Sequence, residues 1–244
     1  MATRAKSRQF EMKWQTIATR LFPEGHDIAQ DGDFLIGTGC CGPYTVTVLG
    51  TTNHAEVGVE VTLAMAGAVL ETVRRHPGRA ILFLTDTQGQ RLRHRDELLG
   101  INSYMAHLSK CIQVARELGH PIIGLVYDQA LSGGFIASAM GADICAALPG
   151  AEIRVMNLSA MARVTRISEE RLRELSRSSP VFAPGAGNYV RMGAVEPLWE
   201  ENLARKLQEA ISRADKRDDR ARLGFERGGR GLAYLVAQRV ASDG

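Results

Sequence analysis

Leu131-Ser132-Gly133-Gly134-Phe135 sets a hydroxyl and two adjacent glycines just after an apolar run, Ile122 to Tyr127. Phe135, Ile136, Ala139 and Met140 follow at helical spacing. The pattern predicts a strand, a short loop over 128–131, a glycine turn, and a short helix closed by Gly141 as its C′ residue. The first amides of a helix lack an intrahelical acceptor and lie at the positive end of the aligned peptide dipoles. With no side chains on Gly133 and Gly134, a ligand atom can approach those amides closely. Such a turn suits a carbonyl oxygen that becomes an oxyanion. The same glycines also suit a plain tight turn, and Ser132 reads as an N-cap before it reads as a nucleophile.

A serine hydrolase built on this turn would place its histidine after the serine. Here His26, His54, His76, His94, His107 and His120 all precede Ser132. Lys206 and Lys216, the candidates for a Ser-Lys pair, lie in a charged stretch. No HExxH, phosphate-binding loop or Cys/His ligand spacing occurs, so no metal site is expected. A second turn, Asp86-Thr87-Gln88-Gly89-Gln90, follows the apolar strand 80–85 and leads into Arg91, Arg93, His94 and Arg95. That basic cluster fits either a grip on a carboxylate or phosphate or a solvated loop. Arg163 and Arg166 are placed similarly after a candidate strand at 152–156.

The elements that must carry these turns follow from periodicity. Residues 79–148 read β-α-β-α-β, which implies a parallel sheet with both turns at one edge, where such sheets bind ligands. The helix between the second and third strands spans about 101–118, with a stripe of Ile101, Tyr104, Leu108, Cys111, Ile112, Ala115 and Leu118. A long helix over 55–75 is apolar nearly all round (Val57, Val61, Met65, Val69, Val73; Val59, Leu63, Ala66, Leu70), so it belongs in a core or at a subunit interface. Segments 33–37 and 44–49 form a hairpin. The formal GxGxxG between them, Gly37 to Gly42, is followed by Pro43 and a β-like run, so it is a turn and not a dinucleotide site. Residues 1–30 read as a helical lead-in, 31–200 as the core, and 201–244 as a helical C-terminal segment of one domain. After Met156, helices are expected near 168–176, 185–192 and 200–220, separated by Pro180, Pro184 and Pro197, with a last short helix around 232–240.

The chain has 244 residues, 45% hydrophobic and 23% charged, with a net charge of +3. This is an ordinary globular balance with no electrostatic case for nucleic acid. No apolar run approaches the ~20 residues of a transmembrane helix, and residues 1–8 lack the apolar core of a signal peptide, so a cytoplasmic protein is expected. Cys40, Cys41, Cys111 and Cys145 read as buried thiols.

Three segments in order, 131–143, 155–165 and 184–195, together with Thr85-Asp86-Thr87-Gln88-Gly89, resemble the crotonase superfamily. Within it they are most similar to the acyl-CoA carboxyltransferase subunits and to the γ subunit of biotin-independent malonate decarboxylase. The resemblance implies a crotonase-like ββα spiral and a heteromer with a homologous β subunit. It implies decarboxylation of a malonyl thioester on an acyl carrier subunit, held by a phosphoribosyl-dephospho-coenzyme A arm, with no biotin and no metal. It makes the Gly133 and Gly134 amides the expected oxyanion donors and Gly89 a second candidate. Ser132, Gln88, Arg91, Arg93 and His94 are the expected substrate contacts. A non-catalytic scaffold subunit and a biotin-dependent carboxyltransferase subunit are the competing readings.

Overall fold

Burial on two faces is what makes the central strands legible. Ile81, Phe83, Ile122, Val126, Cys145 and Ala147 point into one apolar layer, and Leu82, Leu84, Ile123, Leu125, Tyr127, Ile144 and Ala146 into another. Strands covered on both sides read as unbroken apolar runs. The computed structural model describes residues 13–156, 158–178, 183–215 and 217–242. The expectations resting on residues 1–8, Pro180 and Lys216 lie outside them.

The main sheet runs β1 (His26–Asp31), β2 (Phe34–Cys41), β3 (Tyr44–Thr51), β5 (Ile81–Gln90), β6 (Ile122–Leu131), β7 (Ile144–Ala147). The first three strands are antiparallel, and β3, β5, β6 and β7 are parallel, the last three as expected. One face is covered by α2 (Val59–Arg75) and α4 (Ile101–Glu117). The other is covered by α1 (Trp14–Leu21), Trp199 and the helix Leu203–Arg213. From Lys13 on, the segment read as a helical lead-in is a core helix followed by an edge strand. That strand has only one partly buried residue, Ile28, so its sequence carries no apolar alternation.

Strands β5 and β6 outrun their expected lengths. Beyond a register shift between Thr85 and Thr87, β5 pairs with β4 (Ala55–Val57), and the end of β6 pairs with β8 (Glu152–Arg154). The two expected loops, 86–90 and 128–131, are thus the upper halves of bent strands in a second small layer. Their polar residues hid the extended conformation. The helix expected from 55 starts at Val59 instead, and Leu63 and Leu70 are exposed on it. On α4 the buried stripe uses Met105 in place of Tyr104, and Leu118 is exposed. The GxGxxG lies within β2 and ends in a turn at Gly42, with no helix after it.

Helices α3 (His94–Leu98) and α5 (Ser132–Ile136) are single turns. The C-terminal helices are α6 (Leu158–Thr165), α7 (Glu169–Ser178), α8 (Ala186–Arg191), α9 (Leu203–Arg213), α10 (Arg220–Glu226) and α11 (Gly231–Ser242). α6 was not foreseen, and the expected 200–220 helix stops at Arg213. Among the described residues no helix is long and apolar enough to cross a membrane. Cys41, Cys111 and Cys145 are buried, and burial pushes the Cys145 thiol up to about 12. Cys40, expected to be buried, is exposed, because alternation along β2 turns it away from its neighbour.

Candidate functional site

The bends in β5 and β6 bring the two expected turns against each other. Gly89 has φ +108°, a conformation open to glycine, and a Cβ there would meet Ser132 Cβ at 2.9 Å and Leu131 O at 3.1 Å. A Cβ on Gly134 would touch Gly89 C and Val57 Cγ2 at 3.1 Å, and one on Gly133 would collide with Gln90 Oε1. The ends of β4, β5 and β6 thus pack so closely on the glycine turn that side chains are excluded. Gln90, which sequence reasoning passed over, is the side chain laid over Gly133.

Gly133 and Gly134 are the second and third residues of α5. No acceptor among the described residues takes either amide. Gly133 is half-buried and Gly134 buried. A helix of five residues has little macrodipole, so the two unpaired N–H groups carry the electrostatics, contrary to the weight first given to aligned dipoles.

Ser132 is not the N-cap. Leu131 occupies that position, and Ser132 lies in the first turn at φ +51° with no capping hydrogen bond. The abrupt switch from strand to helix forces that left-handed residue, at a cost on the order of 1–3 kcal/mol. No base among the described residues is recorded against its hydroxyl, and Lys206 pairs with Glu209 on α9. Ser132→Gly is therefore expected to raise the melting temperature by a few degrees and to leave turnover within a few-fold of wild type. A loss of activity above 100-fold would restore the nucleophile. Gly141 is not the expected left-handed C′ residue either: it ends a separate 3₁₀ turn, Ala139–Gly141.

The Gly89 amide, the second candidate donor, is taken by Thr87 Oγ1 at 2.9 Å, so it cannot also face an oxyanion while that bond stands. Gln88 is exposed on the adjoining strand end. The basic cluster is largely matched by acids. Arg93 Nε bonds Asp96 Oδ2 at 2.6 Å, and Arg95 pairs with Glu60. Asp96 is fully buried and also accepts the Val59 amide at 3.1 Å, capping α2. The Arg93 guanidinium holds the Asp96 carboxyl below its usual range. Arg93 and Arg95 thus brace α2 to α3. Arg91 is looser, 3.7 Å from Glu56, and His94 is exposed at the start of α3. Arg163 and Arg166 are exposed on and after α6.

A cavity of about 390 Å³ lies away from this turn, between β7 and α9–α10. Its arginines are held by carboxylates, Arg116 by Asp143, Arg213 by Glu196 and Arg220 by Asp218. The glycine turn therefore has the stronger chemical case.

A model of the malonate decarboxylase gamma subunit family matches residues 52–243, a span holding both turns. The chain belongs to the malonate decarboxylase gamma subunit family. Members of that family and their relatives share the fold at length. The chain resembles a chain of the Pseudomonas malonate decarboxylase hetero-tetramer in complex with coenzyme A, with a TM-score of 0.73 and 26% identity over 92% of this chain and 95% of that one. It also resembles a chain of the Pseudomonas MdcD-MdcE hetero-dimer, with a TM-score of 0.71 and 26% identity over 92% and 96%. The transcarboxylase 12S core shares the fold alone, at a TM-score of 0.68, 18% identity and coverage of 83% and 40%. In sequence, 154 residues are 34% identical to the malonyl-S-ACP:biotin-protein carboxyltransferase MADD of Malonomonas rubra, covering 59% of this chain. The chain spans about half the length of that relative, 53%.

Proposed function

We propose that this gamma subunit acts with a homologous β subunit to decarboxylate a malonyl thioester presented by an acyl carrier subunit on a phosphoribosyl-dephospho-coenzyme A arm. The carrying observation is the pair of acceptor-free amides at Gly133 and Gly134, pinned by the ends of β4, β5 and β6. In the reaction the bond between the α-carbon and the carboxylate breaks, carbon dioxide leaves, and the electron pair passes to the thioester oxygen as an enolate. Fixed amides facing that oxygen lower the barrier without reorganising. A proton then returns to the α-carbon, giving the acetyl thioester. The step needs desolvation of the carboxylate, which a pocket closed by the β subunit would supply. Neither biotin nor a metal takes part in this step. Arg91, loosely paired with Glu56, is the side chain of the cluster best placed to exchange its partner for the substrate carboxylate or the carrier phosphates.

The name of the Malonomonas relative favours a second reading, transfer of the carboxyl group to a biotinylated protein. The same two amides would serve its enolate. A coexpressed pair assayed with a malonyl thioester separates the readings. Carbon dioxide release without biotin, absent when either subunit is omitted, is the expected result. Release by the β subunit alone at the full rate would reduce this chain to a scaffold, and strict dependence on biotin would favour transfer. For Arg91→Ala, KM for the carrier-borne substrate is expected to rise about tenfold while kcat moves little, as for the loss of one charged hydrogen bond. An unchanged KM would remove Arg91 from the site.

A further inference from the structure

A second cluster lies on the other side of the strand bends. We propose that His54, Asp86 and Asp128 bind a first-row divalent transition-metal ion of the zinc type. The proposal rests on this cluster alone and is independent of the decarboxylase reading.

The three residues lie just past the in-register stretch of three neighbouring parallel strands, near the edge where open α/β sheets hold ligands. His54 follows β3 in the turn to β4, Asp86 sits at the bend of β5, and Asp128 at that of β6. His54 Nε2 is 3.2 Å from Asp128 Oδ2 and 3.7 Å from Asp86 Oδ1, and the three ligand atoms all lie within 4.8 Å of one another. Bonds of about 2.0–2.2 Å around a tetrahedral ion would separate its ligands by roughly 3.4 Å, so the spacing is close to that of a coordination shell.

The independent observation is Asp86 Oδ1. The Asp86 side chain is 4% exposed, and this oxygen is buried without a hydrogen-bond donor. A buried carboxylate oxygen left unserved is costly, and such atoms are rare enough to require a reason. Its mate, Oδ2, accepts the His54 amide at 2.8 Å, which fixes the carboxylate with Oδ1 on the imidazole side. A hydrogen bond from His54 Nε2 to Asp128 accounts for Asp128 but leaves Asp86 Oδ1 3.7 Å from the ring, beyond hydrogen-bond distance. A cation among the three atoms satisfies all of them at once.

The ligand set selects the ion. One imidazole and two carboxylates suit zinc and its neighbours, whereas calcium and magnesium prefer shells of oxygen alone. The His54 and Asp128 side chains are 49% and 35% exposed, which leaves a path for the ion and an open position for water. Tyr127 donates to Thr51 O at 3.0 Å and ties β6 to the end of β3 beneath the cluster.

The test uses the subunit pair stripped by chelator and titrated with zinc chloride by calorimetry, and with cobalt(II) by visible absorption. One equivalent per gamma subunit and a ligand-field band are expected. His54→Ala and Asp128→Asn, both at exposed side chains, should weaken binding by at least about 100-fold without lowering the melting temperature of the metal-free pair. Failure of the wild-type pair to bind zinc or cobalt at millimolar concentration would overturn the proposal. So would equal affinity in His54→Ala. Asp86→Asn is the third variant, and its circular dichroism spectrum checks that the bend in β5 survives.

Discussion

Gly133→Pro in the assembled pair is expected to lower kcat for decarboxylation by 10²–10³ while the two subunits still copurify. Loss of one oxyanion donor typically costs about 3–4 kcal/mol in the transition state. Proline removes that donor and little else: position 133 lies in the first turn of α5, where a missing N–H breaks no helix bond. Two local costs are visible. Ser132 at φ +51° precedes the new ring, and Gln90 Oε1 must move aside. Gly133→Ala carries the second cost but keeps the amide. If the amide is what matters, alanine should lose far less than proline. Equal losses would assign the effect to crowding by the side chain.

The largest stability effect is expected at Asp143, in the same motif but outside the chemistry. Its Oδ1 accepts Arg116 Nε at 2.5 Å and its Oδ2 accepts the Ile122 amide at 2.8 Å, with side chains 5% and 10% exposed for aspartate and arginine. It therefore fastens α4 to the start of β6, the strand that ends in the glycine turn. Asp143→Ala should cost about 3–5 kcal/mol, because a buried guanidinium loses its counter-charge. In a chain of this size that is a fall in melting temperature on the order of 10 °C. The double variant Arg116→Met/Asp143→Leu should recover much of the loss, since well-packed apolar pairs often replace buried ion pairs at little cost. A single variant as stable as wild type would show the pair to be dispensable.

The strands 81–85 and 122–127 could be read from sequence because burial on both faces leaves an unbroken apolar signature. Their upper halves could not. Thr87 to Gln90 carry no apolar side chain and Asp128-Gln129 interrupts the apolar run of β6, and what makes both stretches extended is pairing with Ala55–Val57 and Glu152–Arg154, far along the chain. The glycine turn was visible as a pair of adjacent glycines after a strand. Its contact with Gly89 was visible only as two turns at one sheet edge, and the Thr87 hydroxyl that occupies the Gly89 amide was not visible at all. Arg91 and Arg95 looked like free charge because their partners, Glu56 and Glu60, lie more than thirty residues upstream, while Arg93 is held by Asp96 close by. His54, Asp86 and Asp128 carried the faintest signal: an acid at the end of each apolar strand, with nothing in the spacing to join them to a histidine.

Selective labelling of the glycines with nitrogen-15, in the chain bound to its β subunit, reports most directly on the amides. On adding a stable enolate mimic of the malonyl thioester, the Gly133 and Gly134 protons should move strongly downfield as they acquire an oxyanion acceptor, with Gly89 little changed. If both resonances stay in place while the mimic is bound, those amides do not hold the reacting oxygen.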